Sequence, residues 1–230
     1  MFSRYSICSE PNEIKDTFSA SVPSKYVKKF NAAPSHLLPV ITDSSQEGIS
    51  IFYWGSTPEW KGKNQLIEKF TNIPLEENLN TKLFQKRVKK TCIIPADGFY
   101  LWKKSGKKSQ IPYRFTWMER DLFCFPGIWE EYDNDNDQIQ HTFLIITTKI
   151  KDPQYSQFDN LFPVILSPKQ GKEWLEHSDA SKLLQSQKEI QRKLNYYPVS
   201  QKINSAENNE SSLIQKSQPI DQFGAISLFE

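Results

Sequence analysis

Cysteine is scarce in this chain. Its three cysteines, Cys8, Cys92 and Cys124, are odd in number and include no CxxC pair. That arrangement supports neither a zinc site nor a disulfide framework, and the apolar or aromatic neighbours of each point to reduced, buried, inert thiols. Histidine is as sparse. His36, His141 and His177 are far apart, and none falls in a metal-ligating spacing. There is no glycine-rich phosphate loop, no HExxH and no GxSxG, so no cofactor or metal is expected and nothing favours a hydrolase triad. No apolar run is long enough to span a bilayer, and MFSRYSICSE lacks the hydrophobic region of a signal peptide, so a soluble cytoplasmic protein is expected. Charge of one sign is lacking too. A formal net charge of +2 does not by itself announce a nucleic-acid partner.

What is present is a locally basic, strand-rich chain. Its 230 residues are enough for one large domain with a sizeable core, and neither a repeat nor a linker divides it. From Lys82 to Lys108 there are nine Lys or Arg against one acid, Asp97, which suits either a phosphate backbone or a solvated basic face. The same window contains TCIIPADGFYLWKK, Thr91 to Lys104. Apolar β-formers on both sides of Pro95, Asp97 and Gly98 read as a buried strand pair meeting at a tight bend.

The rest follows the same pattern. Residues 2–8 alternate as a strand, and 11–18 have a proline start and an Ile14–Phe18 spacing that predict a short helix. FNAAPS (30–35) reads as a turn carrying Asn31. Strands are expected at 37–42 and 49–54, around a DSSQEG loop, and then at 113–117, 122–129, 141–150, 163–166 and 197–200. Residues 64–90 read as loop and helix. Ser167 before Pro168 signals a helix start, and 179–194 a second amphipathic helix. The Ser, Asn, Gln and Glu content from about 204 onward predicts loop and a weakly ordered tail. The fold class is therefore α+β: a mixed, largely antiparallel, barrel-like sheet core with peripheral helices. One domain over 1–216 and a tail over 217–230 are expected, as a monomer.

The ordered set Met1-x-x-Arg4, FNAAPS, YWGSTPEW, PADGFYLWKK, FPGIW, LIITT, PVILSP and YYPVS resembles the SRAP family, the SOS-response-associated peptidases or abasic-site-processing proteins. The resemblance covers residues 1 to about 216. It implies binding of single-stranded DNA at abasic sites. It also implies an N-terminal cysteine whose amine and thiol close a thiazolidine on the sugar aldehyde, with Asn, Glu and His assisting. On this resemblance Arg4, Trp54, Trp60, Asn72, Lys82 and Thr147 fall at DNA-contacting positions, and Asn31 and Asp159 are the catalytic candidates.

The resemblance breaks where the chemistry lies. The nucleophile position holds Phe2, whose bulk also disfavours removal of Met1. The family glutamate falls on Leu101, its histidine on Asp159 or Phe158, and its arginines on Leu161 and Pro74, while Asn72 and Glu76 remain. On residue type alone Trp54 reads more readily as core than as stacking platform, and Arg4 as the partner of an acid across the sheet. Three readings follow: non-covalent binding of single-stranded or abasic DNA, an enzyme using substitutes such as Asp159 and the Met1 amine, or a scaffold turned to protein or small-ligand binding.

Overall fold

The computed structural model describes residues 2–55, 70–105, 109–119, 121–133, 138–150, 152–158, 161–224 and 226. In chain order the elements are β1 (Tyr5–Ile7), α1 (Pro11–Phe18), β2 (Lys29–Ala32), β3 (Leu37–Thr42), β4 (Ser45–Trp54) and β5 (Asn72–Pro74). There follow α2 (Leu75–Asn78), α3 (Lys82–Arg87), β6 (Thr91–Ala96), β7 (Gly98–Lys104), β8 (Gln110–Trp117), β9 (Phe123–Asp133) and β10 (Ile139–Lys149). The chain continues through β11 (Leu161–Pro163), α4 (Pro168–His177), α5 (Ala180–Leu183), α6 (Gln187–Arg192) and β12 (Leu194–Pro198). This is the α+β, mostly antiparallel, barrel-like architecture that the strand pattern predicts.

Two sheets divide the strands. The first runs β12-β8-β7-β1-β2, and the second runs β4-β3-β6-β9 with β10 pairing both ends. The second sheet thus closes into a barrel, which leaves few edges to protect. One edge of β10 pairs in parallel with β4 and then with β5, while β9 and β11 share the other edge. Aromatic and β-branched residues at alternate positions fill the interior, among them Phe99, Phe115, Phe125 and Phe143, all fully buried.

The central PADGF stretch differs from a paired hairpin. β6 belongs to the barrel and β7 to the five-stranded sheet, and the two do not pair with each other. Asp97 is the corner between them, and its carboxylate explains the geometry. It accepts from the Ser6 hydroxyl, the Cys8 N–H and Arg114 Nη2, the last at 2.9 Å. Both ion-pair side chains are only 9% exposed. The Ser6 hydroxyl, the Cys8 N–H and the Tyr197 hydroxyl add hydrogen bonds around the pair, which offset part of the cost of burying it. Gly98 makes room for it: a Cβ there would lie 2.7 Å from Arg114 Nε and Nη2. A proline–aspartate–glycine turn in sequence is here a switch between sheets.

Helices cover the outside. Pro11 opens α1 and Ser167 caps α4 through a reciprocal Ser167–Gln170 box, as the sequence predicts. α4 lies on β6 and β9, with Trp174 Nε1 donating to Cys92 O at 3.1 Å. The expected 179–194 helix is instead two short helices, α5 and α6, separated at residues 184–186. The DSSQEG loop shrinks to Asp43 and Ser44, because β4 already starts at Ser45. The segment after β12 is also more than a loose tail. One-turn helices at Gln201–Asn204 and Ser211–Ile214 bury Ile203 and Leu213 against Tyr100 and Val199. Among the described residues no helix is long and apolar enough to cross a membrane.

Candidate functional site

The N-terminal segment enters the core before β1 begins. Phe2 is fully buried, with ring centroids 5.7 Å from Trp54, 6.1 Å from Phe99 and 5.6 Å from Phe125. Edge-on and tilted aromatic contacts of this kind hold a ring in one orientation. Asn72, on β5, fixes the backbone as well, donating from Nδ2 to Phe2 O at 2.6 Å. Leu101 is two residues beyond Phe99 on β7, so its side chain leaves the same face of the strand, and it is fully buried in the same core. Residues 2 and 101 are thus both buried in the one large core, and neither side chain offers a thiol or a proton carrier.

Buried polar atoms remain around it. Asn72 Oδ1 and Thr147 Oγ1 have no hydrogen-bond partner among the described residues. Thr147 lies in register with Pro74 on one side and Pro163 on the other. Glu76 faces elsewhere, accepting from the Thr148 hydroxyl and, at 3.2 Å, from Lys149 N–H.

Several expected residues take other roles. Trp54 is 1% exposed, packs on Phe2 and Tyr5, and donates its indole N–H to Thr71 O at 2.8 Å. Its ring offers no open face to a base; it is core. Asn31 is also fully buried, and its amide donates to Ile203 O, Ser205 O and Asn208 O at 3.2, 2.8 and 3.1 Å. This amide clasps the segment after β12, which is structural work that needs no substrate. Among the described residues Arg4 pairs with no acid; it donates to Ser3 O and Asn204 O, and burial lowers its pKa. Phe158 is fully buried against Tyr113 and Phe115. Trp60, Lys61 and Asp159 lie outside the described residues. Lys82 is exposed at the start of α3.

Sequence reasoning passed over a cationic corner next to this site. The His36 pKa is lowered by burial and then by the positive charges of Lys29 and Arg4. His36 N–H and Ser35 N–H are tied into the turn that also carries Trp54, through bonds to Ala33 O and Trp54 O. Asn204, whose carbonyl holds Arg4, accepts from Trp102 Nε1 at 2.9 Å with its side chain. Trp102, partly exposed, and Arg4 thus meet at one residue. The lysine pair before FNAAPS and the tryptophan of PADGFYLW were the available signals.

Elsewhere the electrostatics are of opposite sign. A cleft of about 1030 Å³ is lined by Glu13, Asp16, Glu119 and Asp121, with Asp97 and Arg114 also on its wall. Cys8 opens onto it, yet burial and the Asp97 charge push its thiol up to about 12, so it is not a thiolate at neutral pH. No cluster of three or more His, Cys, Asp or Glu among the described residues could hold a metal.

Comparison with known proteins agrees with this architecture. The family model described as SOS response associated peptidase (SRAP) matches residues 1–206. The abasic site processing protein YoqW of Bacillus subtilis is 33% identical over 223 residues, covering 94% of this chain and 99% of that protein. The abasic site processing protein YedK of Escherichia coli is 24% identical over 194 residues, covering 82% and 85% respectively. A crystal structure of a protein from Bacteroides thetaiotaomicron superposes with a TM-score of 0.76 at 19% identity, covering 93% of this chain and 99% of the other. With that coverage and its own strand order, the chain belongs to the SOS response associated peptidase (SRAP) family.

Proposed function

We propose that this protein binds single-stranded or abasic-site DNA without forming a covalent link to it. The observation that carries the reading is Phe2, whose ring fills the place where the resemblance puts a nucleophilic thiol. An amine at the N-terminus can condense with the aldehyde to a reversible imine with loss of water, but ring closure needs a thiol that adds to the imine carbon, and a benzyl group has none. Leu101 removes a proton carrier from the same large core. What supports DNA as ligand is the relatives' description as abasic site processing proteins, together with Arg4, Lys29 and His36 at one corner. Partly exposed Trp102 supplies a ring beside that corner, and stacking on one ring is worth about 1–3 kcal/mol per base.

The buried Phe2 and Leu101 also suit a second reading, a scaffold for a protein or small-molecule partner, in which DNA affinity is absent. One experiment separates these. Wild type and Phe2→Cys are titrated with an abasic single-stranded oligonucleotide over a range of salt, and the same samples are run on denaturing gels. Salt-sensitive binding with no gel-stable adduct is expected from wild type. Phe2→Cys alone should cross-link poorly, because Leu101 still moves no proton. Gel-stable or borohydride-trapped adducts from wild type would overturn the proposal in favour of substitute groups. Absence of affinity at low ionic strength would overturn it in favour of the scaffold.

A further inference from the structure

A second cavity lies close to the Phe2 site and is not used by the reading above. It encloses about 110 Å³ between β5, α3 and β10, and its lining includes Phe70, Asn72, Pro74, Phe84, Arg87 and Leu144. Pockets that enclose a drug-sized ligand run to roughly 300–1,000 Å³, so this one takes a single ring system and leaves the rest of the ligand outside. Its chemistry is that of a planar, apolar guest. Phe70 is 49% exposed at the mouth, while Phe84 is buried behind it. The Arg87 guanidinium is oriented by Glu130, with Nε 2.8 Å from the carboxylate and a side chain 31% exposed. Guanidinium planes and aromatic rings are side-chain surfaces on which bases stack.

Charge and continuity narrow the guest further. α3 carries Lys82, Lys86 and Arg87 and no acid, and both lysines are exposed. A ligand that places one ring in the slot would lay its connecting chain along these cations, which matches a phosphodiester strand. Asn72 lines the slot and also holds the carbonyl of Phe2. Asn72 thus joins the slot to the N-terminal segment.

We propose that this slot receives one unstacked base of single-stranded DNA, with Phe70 as its stacking partner and Lys82 and Lys86 on the flanking phosphates. The proposal rests on the DNA-binding reading and adds to it a place where a base, and not only the backbone, is held. The test uses the full chain and fluorescence anisotropy with two strands of equal length, an oligothymidylate and a backbone built of abasic spacers. Phe70→Ala should weaken thymidylate binding by about 5- to 150-fold and leave the spacer strand unchanged. Phe70→Trp should restore the thymidylate affinity. Because Phe70 is half-exposed, an unchanged urea midpoint will show that the fold is intact. If Phe70→Ala binds both strands as wild type does, the slot is overturned and DNA binding stands. If wild type binds neither strand at low salt, both fall together.

Discussion

Truncating Phe2 to alanine tests whether the N-terminal segment is part of the core or merely lies against it. The side chain is fully buried, and its three aromatic neighbours have centroids within 6.1 Å. Removing a buried phenyl ring costs about 3–5 kcal/mol, from lost transfer energy plus the cavity left behind. Edge-on partners add about 0.5–1.5 kcal/mol for each pair, so the upper part of that range is expected. The Asn72 bond goes to backbone and should survive the change. A domain of ordinary stability holds about 5–15 kcal/mol, so the variant should fold with a clearly lower urea midpoint. Phe2→Leu, which keeps most of the apolar volume, should recover a large part of the loss. Equilibrium urea unfolding followed by tryptophan fluorescence measures all three proteins. A loss below about 0.5 kcal/mol for Phe2→Ala would be the size of an ordinary surface change. It would mean that residue 2 does not occupy the nucleophile position as a packed group, and the argument for lost covalent chemistry would go with it.

Two further outcomes follow from the same geometry. Asn31→Ala removes donors from three carbonyls, leaving buried acceptors unsatisfied at about 1–3 kcal/mol; limited proteolysis should then cut first within residues 201–217, and equal protection in both proteins would refute the clasp. His36 has its pKa held below the ordinary 6.5 by burial, Lys29 and Arg4. The unfolded chain therefore takes up that proton first, so this contribution is complete above 6.5 and declines as the pH falls below it. His36→Gln should flatten that part of a urea-midpoint-against-pH curve, and an unchanged slope would show that the imidazole is not under this strain.

Much of the scaffold was legible because it rests on local rules. Period-two alternation marked β1, β-prone composition marked β10, β8 and β9 read as strands too, and Ser167 before Pro168 marked the start of α4. What failed was non-local. The amide of Asn31 finds its acceptors more than 170 residues away, and nothing within FNAAPS distinguishes that role from turn chemistry. Trp54 on residue type alone read as core, and it was the resemblance that put it among DNA contacts; Phe2, Tyr5 and Phe143 close around it. The bend at Asp97 was visible, but its partners Ser6, Cys8 and Arg114 come from two other segments, so a switch between sheets looked like a hairpin. The low-complexity stretch after Asn204 read as disorder because composition does not show that Ile203 and Leu213 have a hydrophobic seat under Tyr100. At the site itself, the substitutions at residues 2 and 101 were plain in sequence, while the corner of Arg4, Lys29 and His36 exists only once strands are paired.

The anchorage of the first strand has a consequence for how such a protein can change. β1 is moored by Ser6 and the Cys8 N–H to the Asp97–Arg114 pair, several residues downstream of the position that would react. The mooring does not depend on which side chain follows Met1. The framework of β1 is thus set by contacts that the side chain of residue 2 does not make, so that side chain can be exchanged while every strand keeps its berth.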